Sequence, residues 1–280
     1  MTLPRVMLEP IVRTALLEDL GRAGDLTTQA TVSSDRQATL AIVARDHGVV
    51  SGTDCAVLAW TLLDPDVEVR IDLPDGSRVG PGSRIGTVRG SARSLLTGER
   101  VALNFLGHLS GVASATSGLV QAVSGSTTRI CDTRKTTPGL RSLEKDAVRA
   151  GGGHNHRFGL DDAILIKDNH IAYAGGITAA VRAAREAVGH LVKIEVEVDT
   201  LEQLDELLDC DADAVLLDNM TPAQLAEAVR RVAGRLITEA SGRVTQETVA
   251  ALAASGVDLI SAGWLTHSAP VLDVGLDAVD

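Results

Sequence analysis

Two adjacent cations of different geometry, Arg134 and Lys135, stand in the run D-T-R-K-T-T-P-G-L-R at residues 132–141. A planar guanidinium suits a carboxylate or phosphate fork, whereas an ammonium is a point charge that can follow a second anionic group. Together they point to a ligand with more than one anion; a solvated basic loop is the plain alternative. G-G-G-H-N-H-R at 151–157 adds glycines that let backbone N–H groups approach a ligand, and His156 and Arg157 offer donors for a second carboxylate. His154, His156 and His170 could instead hold zinc, but no thiolate is near and Arg157 would repel a cation. Lys167, in I-K-D-N-H, needs either an anionic ligand in a shared cavity or a salt bridge to Asp161 or Asp162. Glu195 and Glu197, two apart in a strand-like run, share a face, and Asp218 closes the next run. Carboxylates converging there could hold Mg²⁺ through water and ligand oxygens, bond ribose hydroxyls, steady a cationic sugar carbon, or simply pair with the neighbouring cations. E-A-S-G at 239–242 and S-A-G at 261–263 supply Ser241, Gly242 and Gly263, a composition fit for cradling phosphate.

These groups need a scaffold, and the second half of the chain describes one. Short apolar runs end in polar residues or glycine six times, beginning at Ile130, Ile164, Ile194, Ala214, Leu236 and Leu259. Helical segments at 200–208, 221–233 and 245–254 separate the last four. Strand, helix, strand at a period of about 22 residues predicts a β/α barrel or an open parallel sheet, with function beyond the carboxyl ends of the strands. The first half reads differently. Residues 8–20 predict a helix stopped by Gly21, 39–88 hold short β-like runs between turn residues, and 95–123 form a long helix. Four-residue steps put Arg100, Asn104 and His108 of that helix near one face.

Composition narrows the function classes. The net charge of −11 argues against a nucleic-acid or anionic-membrane surface. Yet Arg134 to Lys167 holds seven basic and four acidic residues, as expected where an acidic protein handles a small anionic ligand. No run reaches the ~18 apolar residues of a membrane span and no signal-peptide order begins the chain, so a cytoplasmic protein is expected. Cys55, Cys131 and Cys210 lack metal-ligand spacing and predict small buried thiols.

The ordered motifs D-T-R-K-T, P-G-L-R, G-G-G, N-H-R, I-L-I-K-D-N-H, E-V-E-V-D, L-L-D-N and A-S-G resemble those of the quinolinate phosphoribosyltransferases. So do E-D-L-G-R-A-G-D-L-T-T at 18–28 and the stretch 98–116, so the resemblance spans nearly the whole chain. It implies an α/β fold: an N-terminal α+β domain (1–111), an incomplete, TIM-like α/β barrel (112–268) and a C-terminal segment (269–280) returning to the first domain. It also implies transfer from phosphoribosyl pyrophosphate to quinolinate with decarboxylation, giving nicotinate mononucleotide, pyrophosphate and CO₂, with Mg²⁺ as cofactor. The expected assembly is a homodimer with shared active sites, or a higher oligomer. By motif, Arg134, His156 and Arg157 resemble the grip on the substrate carboxylates, and Arg100 an arginine lent by the neighbouring subunit. Lys135 and Lys167 match positions near pyrophosphate and substrate, Glu197 and Asp218 the acidic pair facing ribose and Mg²⁺, and Ser241, Gly242 and Gly263 the 5′-phosphate cradle. Asp146, His154 and Arg243 depart from the family pattern and could shift the choice of acid. Three other readings stay open: a paralogue with the same chemistry on another heteroaromatic acid, a member of the related molybdenum-associated group of unknown activity, and a non-catalytic anion-binding or regulatory protein. The intact I-K-D-N-H and L-L-D-N runs argue against the second, and the presence of Glu197 and Asp218 against the third.

Overall fold

The computed structural model describes residues 3–279, which form two compact units. In chain order the elements are α1 (Arg5–Leu20), α2 (Leu26–Thr31), β1 (Gln37–Ala44), β2 (Gly48–Val49), α3 (Thr53–Thr61), β3 (Glu68–Ile71), β4 (Arg78–Val79), β5 (Arg84–Ser91), α4 (Ala92–Ala122) and β6 (Arg129–Cys131). There follow α5 (Arg141–Ala150), β7 (Ile164–Ile166), α6 (Asp168–Ala174), α7 (Ile177–Ala187), β8 (Ile194–Val198), α8 (Leu201–Leu207) and β9 (Ala214–Asp218). The chain ends with α9 (Pro222–Val232), β10 (Ile237–Ser241), α10 (Val249–Ala253), β11 (Leu259–Ser261), α11 (Trp264–His267) and β12 (Val274–Ala278).

The described residues of the first unit are 3–117, Thr136–Gly152 and 265–279. Its antiparallel sheet runs β12-β1-β5-β3, so the last strand lies beside the first. By packing, this unit adds Thr136–Gly152 and the C-terminal residues to the N-terminal segment. The segment around α5 joins it because Leu143, Ala147 and Val148 enter its core beside Leu8, Trp60 and Leu109. The C-terminal contribution starts at Leu265 rather than at 269 and lies close against α4. There a Cβ on Gly111 would come within 2.1 Å of the Pro270 carbonyl, and the Leu272 N–H donates to the Gly107 carbonyl at 3.0 Å. The helix α3 lies within the stretch that shows only β-like runs in sequence; its buried face, with Cys55, Leu58, Ala59 and Trp60, is too short to impose a helical period.

The second unit, Gly118–Lys135 and Gly153–Trp264, contains all six apolar runs as strands. They form one parallel sheet in the order β6-β11-β10-β9-β8-β7. On the outer edge of β6 His154 makes a parallel bridge to Cys131, donating its N–H to the Ile130 carbonyl at 2.8 Å and accepting from Asp132 at 3.1 Å. This is an incomplete α/β barrel. Helices return the chain between strands, and two begin with reciprocal caps: Thr200 with Gln203, and Thr221 with Gln224 followed by Pro222 at the first turn. The helix expected over 245–254 is regular only across α10, because Thr245 and Thr248 bond each other in a preceding turn. Cys55 and Cys131 are buried, but Cys210 is half-exposed, with its Sγ 3.4 Å from the Glu206 carbonyl. Among the described residues no helix is long and apolar enough to cross a membrane.

Candidate active site

Strand alternation determines what the barrel presents at its carboxyl end. Register aligns Leu165 with Glu195, Glu197 with Leu216, Leu216 with Glu239 and Asp218 with Ser241. Leu165, Lys167, Glu197, Leu216, Asp218, Glu239, Ser241 and Ser261 all line a cavity of about 270 Å³, with Thr133, Arg134, Lys135, His156 and Arg157 from the loops. Cations, carboxylates and hydroxyls therefore converge in one concavity at the strand ends, where function is expected in this architecture.

Lys167 pairs with Glu197 rather than with Asp161 or Asp162. The reason is register: Ile166 lies opposite Val196, so the next residues of β7 and β8 fall together. Asp218 accepts from the Asn219 side chain at 2.6 Å. Asn219 itself has φ +52°, its backbone N–H donates to the Ser241 carbonyl, and its side-chain oxygen lies where a Cβ on Gly242 would sit, 2.2 Å away. With φ +102° as well, Gly242 is a position that only glycine fills without strain. Gly263 follows β11, and a Cβ there would approach Lys135 Cδ to 2.8 Å.

The arginine segment is buried more tightly than its sequence suggests. The Arg157 Nη1 donates to the Ala163 carbonyl at 2.7 Å, while its buried Nε has no hydrogen-bond partner. Burial, and then the charge of Arg134, lower the Arg157 pKa. Two guanidiniums close enough to repel each other in one cavity favour an anion that offsets both charges.

His156 lines the same cavity, with its ring set among protein groups. Its Nδ1 accepts from the Arg157 backbone N–H at 2.7 Å and its Nε2 faces Glu195 at 2.9 Å, with Glu239 at 3.7 Å. Both ring nitrogens are thus engaged by the protein. The zinc arrangement of His154, His156 and His170 does not form: His154 is exposed at the sheet edge, and His170 Nδ1 accepts from the Lys167 N–H at 2.9 Å. Among the described residues the cluster able to offer three ligand atoms is His156, Glu195 and Glu239. A metal would need the Nε2 lone pair, yet a backbone N–H donating to Nδ1 puts the ring proton on Nε2.

Glu239, buried to 1% exposure, is the residue that sequence reading passed over, because in E-A-S-G the serine and glycine draw the eye to phosphate. Burial raises its pKa to about 7, the adjacent Glu195 adds to the rise, and His156 and Ser261 oppose it. Asp132, fully buried, was likewise missed as more than a motif member; it accepts from the His156 N–H at 2.9 Å and from the Asn155 side chain at 2.6 Å.

Arg100 is exposed on α4 in the other unit and lines a separate cavity of about 420 Å³ with Glu18, Asp19, Asn104 and His108. The one-face placement of Arg100, Asn104 and His108 is observed. That cavity is larger, but it sets two carboxylates against one arginine and has neither the paired guanidiniums nor the strand-end hydroxyls of the barrel cavity. Asp146, His154 and Arg243 do not line the barrel cavity: Asp146 pairs with Arg149 in the first unit, and Arg243 is exposed with φ +43°.

Comparison with known proteins agrees across the whole chain. Residues 25–110 match the family model for the N-terminal domain of quinolinate phosphoribosyl transferase and residues 112–277 that for its C-terminal domain. The chain is 46% identical over 274 residues to the carboxylating nicotinate-nucleotide pyrophosphorylase of Mycobacterium leprae, covering 95% of each chain. It is 38% identical over 291 residues to a decarboxylating quinolinate phosphoribosyltransferase of Nicotiana tabacum, covering 98% of this chain and 82% of that one. The crystal structure of NadC from Streptococcus pyogenes superposes with a TM-score of 0.95 at 40% identity over all of both chains.

Proposed function

Because the chain belongs to the quinolinate phosphoribosyl transferase family, we propose that its barrel cavity joins quinolinate to the ribose carbon of phosphoribosyl pyrophosphate and releases CO₂. The chain is a phosphoribosyltransferase, and the reaction is the one its relatives are named for. In the step proposed here, the pyridine nitrogen bonds to C1 of ribose as the bond to pyrophosphate breaks. The C2 carboxylate then leaves as CO₂, the electron pair remaining on C2 accepts a proton, and nicotinate mononucleotide results. The observation that carries this reading is the pair of guanidiniums, Arg134 and Arg157, facing one cavity with the Arg157 Nε buried and unpartnered. A dicarboxylate brings carboxylate acceptors and negative charge to this pair.

Each strand end then has a role. Arg134 and Arg157 take the acid's two carboxylates, and Lys135 and Lys167 lie nearer the pyrophosphate and substrate. Ser241, Gly242 and Gly263 hold the 5′-phosphate through a hydroxyl and backbone N–H groups. Glu197 and Asp218 face the sugar, where loss of pyrophosphate leaves C1 partly cationic. The same two carboxylates fit Mg²⁺, since two acidic oxygens at adjacent strand ends suit an ion that completes its shell with water and substrate oxygens. Bound there, the ion would neutralise charge on the leaving pyrophosphate. We place Arg100 in the site of a partner subunit of a homodimer, as it is exposed outside its own barrel cavity. The cytoplasm is the compartment that suits the reduced, buried thiols of Cys55 and Cys131.

The test supplies purified protein with phosphoribosyl pyrophosphate, Mg²⁺ and either quinolinate or nicotinate. Nucleotide is expected only with quinolinate, and equal use of nicotinate would defeat the assignment. Arg134→Ala and Arg157→Ala should each raise the KM for quinolinate, since a charge-assisted hydrogen bond contributes about 1.5–3 kcal/mol. Normal binding of the acid by both variants in calorimetry would overturn the clamp.

A further inference from the structure

We infer that Asp132 is a positioning residue for Arg157: its buried carboxyl takes the place of a strand carbonyl and turns the segment 155–157 so that Arg157 faces the barrel cavity. This rests on the proposed role of Arg157 as a carboxylate clamp.

The loop begins like a strand added to the edge of β6. The His154 N–H donates to the Ile130 carbonyl at 2.8 Å, and the Asp132 N–H donates to the His154 carbonyl at 3.1 Å. One rung further, an evenly spaced parallel ladder would bring the His156 N–H to the Asp132 backbone carbonyl. The Asp132 side chain takes that bond instead, at 2.9 Å, and its other oxygen accepts from the Asn155 side chain at 2.6 Å. Consecutive residues of the loop thus donate to the two oxygens of one carboxyl, an arrangement that needs two acceptor oxygens where an amide has one. The anchor is fully buried at the end of β6, whereas Asn155 is exposed.

The consequence lies one residue on. Arg157 follows directly from the anchored His156 N–H, and its Nη1 donates to the Ala163 carbonyl at 2.7 Å. With the backbone held at His156 and one guanidinium nitrogen held at Ala163, the arginine presents the rest of its fork beside Arg134 in the cavity. Asp132 does not line that cavity and has no exposed surface, so its effect reaches a ligand only through the loop. The turn that carries Arg134 and Lys135 has a tie of its own, the Lys135 N–H to Thr133 Oγ1 at 3.0 Å. Loss of the Asp132 side chain therefore frees the 155–157 segment first.

Hydrogen exchange of the full chain tests the anchor without any substrate. Peptides covering 153–157 should exchange about tenfold faster in Asp132→Ala than in the wild type, the scale of one lost charge-assisted hydrogen bond, while those covering β8 and β9 keep their rates. Unchanged exchange at 153–157 would overturn the inference. Should Asp132→Ala fail to fold, Asn155→Ala, at an exposed position, removes one of the two bonds and must show the same pattern in smaller degree; unchanged exchange there would overturn the inference equally. In steady-state assays Asp132→Ala should raise the KM for quinolinate about tenfold to a hundredfold and change the KM for phosphoribosyl pyrophosphate much less. Combined with Arg157→Ala it should add little, because a displaced and a deleted guanidinium lose the same contact. If the two effects multiply in full, or both KM values rise together, Asp132 acts independently of Arg157 and the inference fails. Absence of quinolinate turnover in the wild type would instead defeat the functional reading, while exchange would still decide whether Asp132 holds the loop.

Discussion

Replacing Glu239 by glutamine should change the pH dependence of folding stability in a defined direction. A glutamate ordinarily titrates near 4.5; here burial and the neighbouring Glu195 raise the value to about 7. Between those values the folded protein binds more protons at this site than the unfolded chain does, so stability falls as pH rises. The contribution is fully present below about pH 4.5 and is lost as pH climbs through about 7. At ~1.4 kcal/mol per pH unit, the separation corresponds to about 3 kcal/mol. Glutamine matches the size of the protonated carboxyl but cannot ionise, so Glu239→Gln should lack this component. Urea unfolding of both proteins, from below the lower value to above the upper one, measures it as the change in their stability difference. The variant should gain on the wild type as pH rises, by an amount on the order of 3 kcal/mol. Parallel stability curves across that range would mean that Glu239 titrates normally, and the account of the buried carboxyl pair would go with it.

Gly242→Ala should weaken binding of phosphoribosyl pyrophosphate and cost about 1–3 kcal/mol of stability, since a Cβ at φ +102° would strike the Asn219 side chain; calorimetry and urea unfolding that match wild type would remove the need for glycine there. Glu197→Gln and Asp218→Asn should each lower kcat by roughly 10²–10³ with less effect on ground-state binding. Rescue at high Mg²⁺ would indicate ion binding and no rescue would indicate charge stabilisation at ribose, whereas near wild-type turnover would make the pair structural. Mixing inactive Arg100→Ala with inactive Lys135→Ala should restore part of the activity through hybrid sites, and verified mixed dimers without activity would confine the site to one chain. Asp213 should matter in acid: burial alone would raise its pKa, but bonds from Lys193, Arg185 and the Ile194 N–H lower it to about 2. Its stabilisation is therefore present above about pH 4 and lost toward pH 2, so Asp213→Asn should flatten acid denaturation over that window.

The sequence by itself determined the barrel strands and the residue types at their ends. An apolar run that must be buried on both faces, followed by polar residues at the strand end, is a local pattern, and all six such runs are strands. The concentration of cations between Arg134 and Lys167 and the glycines after β10 and β11 were legible for the same reason. Pairing was not. Lys167 meets Glu197 because β7 and β8 lie in a particular register, which no local spacing encodes. The run D-T-R-K-T-T-P-G-L-R looks continuous, yet Asp132–Lys135 belong to the barrel unit and Thr136–Arg141 to the other, a division decided by where α5 buries its apolar face. The hold on the N-H-R loop was the least accessible: an aspartate in D-T-R-K reads as a motif member until the fold turns its carboxyl onto the His156 N–H. Glu239 carries no local mark of its role, which depends on its burial in the parallel sheet. Proton affinity and hydrogen-bond role depend on burial and on neighbours brought from β6, β8 and β11, and these exist only once the barrel has formed.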